Sequence, residues 1–240
     1  LSARAESLLI NVCRILEEHN IHYWICNGTL LGIIRENRIL PWDHDIDFGV
    51  FSDQVDKETI NEIFRNNNFS TEEIHKDNDC LHFLKGKCKV DINFFTKENG
   101  STFVEWVVLG NGCHTKIKNF LLLCLIKSSP PQGKLKIIKF LTFYMLKILK
   151  LFLNTFFKTF LQMLIKYLNK ELYVKMGYSY PSEMLNQFID YDFNGYNLRI
   201  PDRFTEILAL TYGADWKVPR KNFVWYEQAT NLTNNNSYVE

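Results

Sequence analysis

Asp43, Asp45 and Asp47 stand at every second position of the stretch PWDHDIDFGV. A strand would turn all three the same way. Aspartate is among the poorest strand formers, and three like charges on one face repel each other. The arrangement calls for a positive partner. Carboxylate oxygens are hard donors of the kind that Mg2+ and Mn2+ prefer, so a divalent cation answers the need directly. A second stretch, KCKVDINFF, alternates Cys88, Val90, Ile92 and Phe94 against Lys89, Asp91 and Asn93. Asp91 thus projects from the polar side of a strand that otherwise reads as core. If the two strands are neighbours, Asp91 meets Asp45 and Asp47.

Upstream, Asn27-Gly28 breaks a short apolar stretch, and Thr29 is placed to cap a helix from Leu30 to Glu36. The amides of a glycine turn and the dipole of the helix behind it bind anionic oxygens. A metal beside them would span phosphates and neutralise charge as it develops. Arg35, about two turns beyond Thr29, is placed to add a bidentate phosphate contact. By alternation His44 falls on the apolar side and reads as a packed, hydrogen-bonded histidine at least as readily as a catalytic one. Read this far, the residues specify metal-dependent phosphoryl chemistry and name neither donor nor acceptor.

The elements that must position these groups follow from periodicity. Leu8, Leu9, Val12, Ile15 and Leu16 give helical spacing between Arg4 and Asn20. IHYWIC reads as a strand, and DHDIDFGVF as the next one once Pro41 is passed. Ser52 or Asp53 is placed to cap a helix running to about Asn66. CLHFL and KCKVDINFF flank Lys85-Gly86-Lys87 as a hairpin, and TFVEWVVL is a further strand. Beyond Pro181 come short strand signals, then a helix from Asp202 to Tyr212 stopped by Gly213. The expected fold class is α+β of the α/β type, a small mixed sheet with helices, carrying a long basic amphipathic helical insertion. The expected organisation is a core with the metal site over 1–116, the insertion over 117–176, and the C-terminal part of the same domain over 177–240.

The insertion stands out by charge. The formal net charge of the 240 residues is only +1, but from Trp106 through Lys170 there are eleven lysines and no acid, so the remainder carries about −10. Lys134 to Met176 holds no glycine or proline, and Pro130-Pro131 marks its approach. Lys136, Lys139, Lys147, Lys150, Lys158 and Asn154 fall on one helical face, opposite a broad apolar one. No uncharged run of the insertion reaches the ~20 residues of a membrane span; Asn119 to Ile126, for instance, is far shorter. A broad apolar face edged only by lysine suits an anionic membrane surface.

The six cysteines form no C-x-x-C pair, which argues against a zinc ribbon or a thioredoxin motif. Cys80, His82 and Cys88 could ligate zinc together, but their spacing matches no standard pattern, and ordinary half-buried cysteines fit better. Reduced thiols in a cytoplasmic setting are expected. No signal peptide opens the sequence; it begins without Met, which leaves a preceding segment open.

The long stretch NGTLLGIIRENRILPWDHDIDFGV closely resembles the signature of the LicD family, which includes the fukutin and fukutin-related proteins. The family pattern is roughly G-T-L-L-G-x-x-R, a spacer, then P-W-D-x-D-I-D. The chain matches it at Gly28, Thr29, Leu30, Leu31, Gly32, Arg35, Pro41, Trp42, Asp43, Asp45, Ile46 and Asp47. His44 departs from it where many members carry another Asp. KVDINFF resembles the second motif, with Asp91 at the matching place. FNGYNLRIP and YGADWKVP resemble the third, at Phe193, Gly195, Ile200, Pro201, Tyr212, Gly213 and Pro219.

The resemblance implies a nucleotidyltransferase-like fold. It implies transfer of a phospho-alcohol, such as phosphocholine or ribitol phosphate, from a CDP-activated donor to a hydroxyl of a glycan or lipid-linked glycan. On that analogy Asp45 and Asp47 are catalytic metal ligands for Mg2+ or Mn2+, with Asp43 as a further candidate. Asp91 is a third ligand or the base for the acceptor hydroxyl, and Gly28, Thr29 and Arg35 touch the donor phosphates. The implied setting is peripheral to the inner face of a membrane, or a Golgi lumen in a eukaryote, with no nucleic acid as partner. A D-x-D sugar-nucleotide glycosyltransferase is the first alternative, although only 44 residues precede Asp45, short for several βα units at ~30 residues each. An enzyme transferring NMP is another, and a scaffold without activity a third.

Overall fold

A computed structural model of the chain describes residues 2–72, 75–110, 113–126, 136–156, 158–169, 172–220, 223–233 and 238–239. The chain divides into two compact units, Leu1–Trp106 with Met176–Asn234, and Val107–Lys175 with Asn235–Glu240.

The first unit opens with α1 (Ser2–Glu18), whose Leu8, Leu9, Val12, Ile15 and Leu16 are all buried, as the helical spacing requires. Strand β1 (Tyr23–Ile25) pairs antiparallel with β2 (Asp45–Phe51). Between them lies α2 (Asn27–Glu36). It starts at Asn27, with Cys26 as N-cap and no side-chain cap, instead of at Leu30 behind a Thr29 cap. Asn27 takes φ +48°, a left-handed conformation that asparagine tolerates well, and this turns the chain sharply from β1 into the helix. Helix α3 (Lys57–Asn66) starts later than Ser52 or Asp53 would place it. The chain first turns after β2, with Val55 N–H on the Phe51 carbonyl, and Asp56 caps the helix by accepting from Thr59 N–H at 2.7 Å.

A short β3 (Ser70–Thr71) then pairs with β4 (Cys80–Lys85), and β4 pairs antiparallel with β5 (Cys88–Glu98). Lys85 faces Cys88 across a two-residue turn, Gly86-Lys87, in which Gly86 sits at φ +66°. Strand β5 also pairs in parallel with β2. Its far end forms a tight hairpin with β6 (Ser101–Leu109), and β6 neighbours β7 (Tyr173–Pro181). The sheet is therefore mixed, with the parallel β2–β5 pair flanked by the antiparallel β1–β2 and β4–β5 pairs. Phe48, Val90, Ile92 and Phe83 are buried with α1, α2 and α3 in one apolar core. Gly49 is required on β2, because a Cβ there would meet the Trp24 ring at 2.4 Å.

The hairpin of β8 (Phe188–Phe193) and β9 (Tyr196–Pro201) turns through Asn194 and Gly195, both at positive φ, as a type I′ turn demands. An α-helix later in the unit (Phe204–Tyr212) ends at Gly213, φ +91°.

The second unit holds α4 (Cys113–Ile126), α5 (Lys136–Phe156) and α6 (Lys158–Asn169), packed on one another. Leu122, Leu168 and Leu172 form its small core. Among the described side chains of α5, Phe143 is buried, while Leu141, Met145, Ile148 and Leu151 are 61–72% exposed. Lys147 and Lys150 are half-buried. The side chains of Lys136, Lys139, Asn154 and Lys158, expected on the basic face, and the Pro130-Pro131 pair lie outside the described residues. Among the described residues, no helix is long and apolar enough to cross a membrane.

Candidate functional site

The parallel pairing of β2 with β5 sets Asp47 directly opposite Asp91 and Asp45 opposite Lys89. The antiparallel pairing on the other side sets His82 opposite Asp91 and Cys80 opposite Asn93. One face of three adjacent strands thus gathers Asp45, Asp47, Cys80, His82, Asp91 and Asn93, while the alternate residues of the same strands supply the apolar core. Asp43 lies in the turn before β2, not on the strand, and its side chain still reaches the same place. His44 is exposed, so the packed histidine expected from alternation is not formed; the strand begins one residue after it.

A cavity of about 350 Å³ opens on this face. Asn27, Gly28, Asp43, Asp45, Asp47, His82, Asp91 and Asn93 supply its polar lining. Trp42, Trp106, Tyr178, Tyr212, Phe223 and Trp225 supply rings. The aromatic lining was not legible beforehand, because four of these rings come from beyond residue 175 and only the fold brings them to the aspartates.

The start of α2 is stitched to β2 around Asp47. The Asp47 N–H donates to the Thr29 hydroxyl at 2.9 Å, the Cys26 N–H donates to the Asp47 carbonyl at 3.2 Å, and Asn27 Nδ2 donates to the Asp47 carboxylate at 3.5 Å. Lys89 Nζ lies 3.1 Å from Asp91 Oδ2 and 3.9 Å from Asp45 Oδ2. One ammonium does not balance four clustered carboxylates. Burial, with the hydrogen bond and charge of Asp45 next in weight, pushes the Asp43 carboxyl up to about 8. Burial, then the charges of Asp45, Asp91 and Asp43, pushes Asp47 well above the usual carboxylate range. Burial opposes the charge of Lys89, but Asp91 and Asp45 together hold its pKa above the ordinary value. Hard carboxylate oxygens gathered in this way are the donor chemistry that suits Mg2+ or Mn2+.

Gly28 is confined by this cluster. A Cβ on it would stand 2.4 Å from Asp43 Oδ2, so only glycine lets that carboxylate approach the helix start. Two other residues expected at donor phosphates are placed differently. Thr29 is fully buried, its hydroxyl accepting from the Asp47 N–H, because the helix begins three residues earlier than a Thr29 cap would require. The Arg35 guanidinium donates to the Trp216 carbonyl at 3.3 Å and to Glu36 at 2.9 Å, is 7% exposed, and does not line the cavity. Thr29 positions β2 and Arg35 ties α2 to the segment after the Phe204–Tyr212 helix. Thr29→Val, which keeps the shape and removes the acceptor, is expected to cost about 1–3 kcal/mol by leaving a buried N–H unpaired. Denaturant titration measures it; an unchanged midpoint would return Thr29 to the role of a ligand contact.

His82 Nδ1 stands 2.8 Å from Asp91 Oδ1 and 3.6 Å from Cys80 Sγ. Cys80, His82 and Asp91 form a group of donors whose ligand atoms all lie within 4.8 Å of one another. The sequence spacing offers Cys80 and His82 with Cys88 as the third donor. The hairpin register supplies Asp91 in its place, since Cys88 lies opposite Lys85 at the turn end.

Residues 20–120 match the family model described as LicD/FKTN/FKRP, nucleotidyltransferase domain. The chain is 41% identical over 44 residues to Ribitol 5-phosphate transferase FKRP of Homo sapiens, a match covering 18% of this chain and 9% of that protein. It is 30% identical over 92 residues to an uncharacterized protein of Rickettsia typhi, covering 38% of this chain and 28% of that one. The matches therefore span less than a third of the length of these curated relatives. Among solved structures, the lincosamide antibiotic adenylyltransferase LnuA with lincomycin bound aligns at TM-score 0.44 and 10% identity, over 88% of this chain and 87% of that one. The family match falls on the stretch that holds Gly28, Asp43, Asp45, Asp47 and Asp91.

Proposed function

We propose that the chain is a metal-dependent phosphotransferase, moving a phospho-alcohol from a CDP-activated donor to a hydroxyl of a glycan or lipid-linked glycan. The observation that carries this reading is the Asp47–Asp91 register on adjacent parallel strands, with Asp45 two residues away and the cavity above them. In this reading Asp45 and Asp47 hold Mg2+ or Mn2+, and Asp43 supports them. The bound ion neutralises charge on the donor phosphates. Asp91 is a third ligand or the base for the acceptor hydroxyl, and the amides at Asn27 and Gly28 face donor oxygens at the helix start. The cavity's rings offer apolar faces to a base or an alcohol moiety. The name of the relative, Ribitol 5-phosphate transferase FKRP, supports an alcohol phosphate as cargo.

The test is incubation of the purified chain with a panel of CDP-alcohols and Mg2+ or Mn2+, with and without a glycan acceptor. CMP release supports the reading. Pyrophosphate release with NMP kept on the acceptor assigns nucleotidyl transfer instead, and NDP release from a sugar nucleotide assigns glycosyl transfer.

The second unit bears on where the acceptor is met. Exposed apolar residues on α5 and α6, in a segment with lysines and no acids, support docking on an anionic membrane surface at the cytoplasmic face or in a lumen.

A further inference from the structure

The His82–Asp91 contact alone would make an ordinary hydrogen-bonded pair. Cys80 makes it a cluster of three. Cys80 and His82 are two residues apart on β4 and so point the same way, and Asp91 is the cross-strand partner of His82 on β5. Their placement rests on the backbone of a paired hairpin, which fixes side chains more firmly than a loop does. Cys80 is wholly buried, and Asp91 is 7% exposed.

From this geometry we propose a second metal site, Cys80–His82–Asp91, for a borderline divalent ion of the Zn2+ class. It is distinct from the all-oxygen pair of Asp45 and Asp47 and draws on Asp91, the cross-strand neighbour of Asp47. The donor types differ in kind from those of the aspartates. Thiolate and imidazole select zinc-like ions, whereas carboxylates alone suit magnesium or manganese. The spacing fits as well. Tetrahedral zinc with bonds of about 2.3 Å to sulfur and 2.0–2.1 Å to nitrogen holds those two donors about 3.6 Å apart. The observed Sγ–Nδ1 separation is 3.6 Å. Nitrogen and oxygen donors on one zinc stand about 3.3 Å apart. The His82–Asp91 contact, at 2.8 Å, therefore has to open by a small side-chain rotation only. On binding, the thiol proton of Cys80 leaves to solvent; the proton that His82 Nδ1 shares with Asp91 also leaves that position, and a neutral His82 then carries its ring proton on Nε2.

Three protein donors leave a tetrahedral ion one open position, the pattern of a zinc site that holds water or a substrate oxygen and not of a structural one. His82 and Asp91 both line the cavity, so such an oxygen would be held among the residues proposed to carry the transfer. The site's existence does not depend on that transfer.

The experiment uses the whole chain, stripped with chelator and titrated with Zn2+ alone, with bound metal measured by elemental analysis. One zinc per chain is expected, with at least tenfold weaker binding in Cys80→Ser and His82→Ala and retention in Asp45→Asn. Wild type loaded with Co2+ should show a thiolate-to-cobalt charge-transfer band that Cys80→Ser lacks. Absence of this band from wild type overturns the site even if a variant misfolds, and its loss in Cys80→Ser assigns the sulfur to Cys80. No zinc uptake by wild type, or a cobalt spectrum without the sulfur band, would overturn the site. So would zinc kept by Cys80→Ser and lost by Asp45→Asn. Zinc binding without CMP release leaves the site standing and the transfer reading fallen; CMP release without zinc binding does the reverse.

Discussion

Asp47→Asn and, separately, Asp45→Asn will reduce transfer at least about 100-fold, since loss of a metal ligand should exceed the 10–100-fold typical of losing a partner that merely orients one. Both variants should fold. Asparagine keeps the size and much of the hydrogen bonding of aspartate, and it removes one charge from a cluster in which burial and the neighbouring aspartates already push Asp47 well above its usual range. Stability without metal should therefore hold or rise. The contrast appears when metal is added. An ion that binds the folded state at 100 times its Kd stabilises it by about 2.7 kcal/mol. Thermal melts of wild type should climb with Mg2+ or Mn2+, and those of the variants much less. Equal metal-induced shifts in all three proteins would remove the aspartates from the metal site whatever their effect on rate.

The parts of this site that sequence made legible are those governed by local periodicity. Asp45 and Asp47 follow from strand alternation, and Asp91 from the same rule on a second strand; only the pairing of β2 with β5 was left as a condition. The structure meets it with Asp47 opposite Asp91. What local pattern could not carry was the boundary of each element. A glycine after Asn27 looked like a turn followed by a Thr29 cap, yet a left-handed Asn27 starts the helix early and turns Thr29 inward to the Asp47 amide. The late start of β2 likewise leaves Asp43 in a turn and His44 in solvent. Long-range placement was also hidden. Arg35 is committed to the carbonyl of Trp216, 181 residues away, and no helical spacing could announce that. The Cys80–His82–Asp91 group was half visible, since two donors at i and i+2 are plain in the sequence, while the third depends on which residue of β5 the hairpin turn sets opposite His82.

Replacing Leu141, Met145 and Ile148 together with serine is expected to weaken binding to anionic vesicles about 100-fold. The three residues recur at intervals of four and three along α5, so they share one face, and they are 63%, 61% and 72% exposed. On α6, Phe160, Met163 and Tyr167 repeat the pattern at 55%, 64% and 58%. A helix that serves only its own core turns its apolar stripe inward, but α5 buries Phe143 and turns these residues out. Fully burying such a side chain is worth about 1.5–3 kcal/mol, so partial insertion of three gives roughly 3 kcal/mol, or ~100-fold in affinity. The lysines contribute less and in a different way. Each adds about 1 kcal/mol near an anionic surface and is screened by salt. Lys147→Gln with Lys150→Gln should therefore lower binding by a smaller factor and flatten its salt dependence, while the serine variant keeps the salt dependence and loses affinity at every ionic strength. CDP-alcohol hydrolysis in detergent-free buffer should be unchanged in both, because neither touches the aspartates. Failure of the wild-type chain to co-sediment with anionic vesicles at low salt would reject the membrane as the partner of this face. A concentration-dependent dimer that the serine variant abolishes would then assign the face to a second copy of the chain.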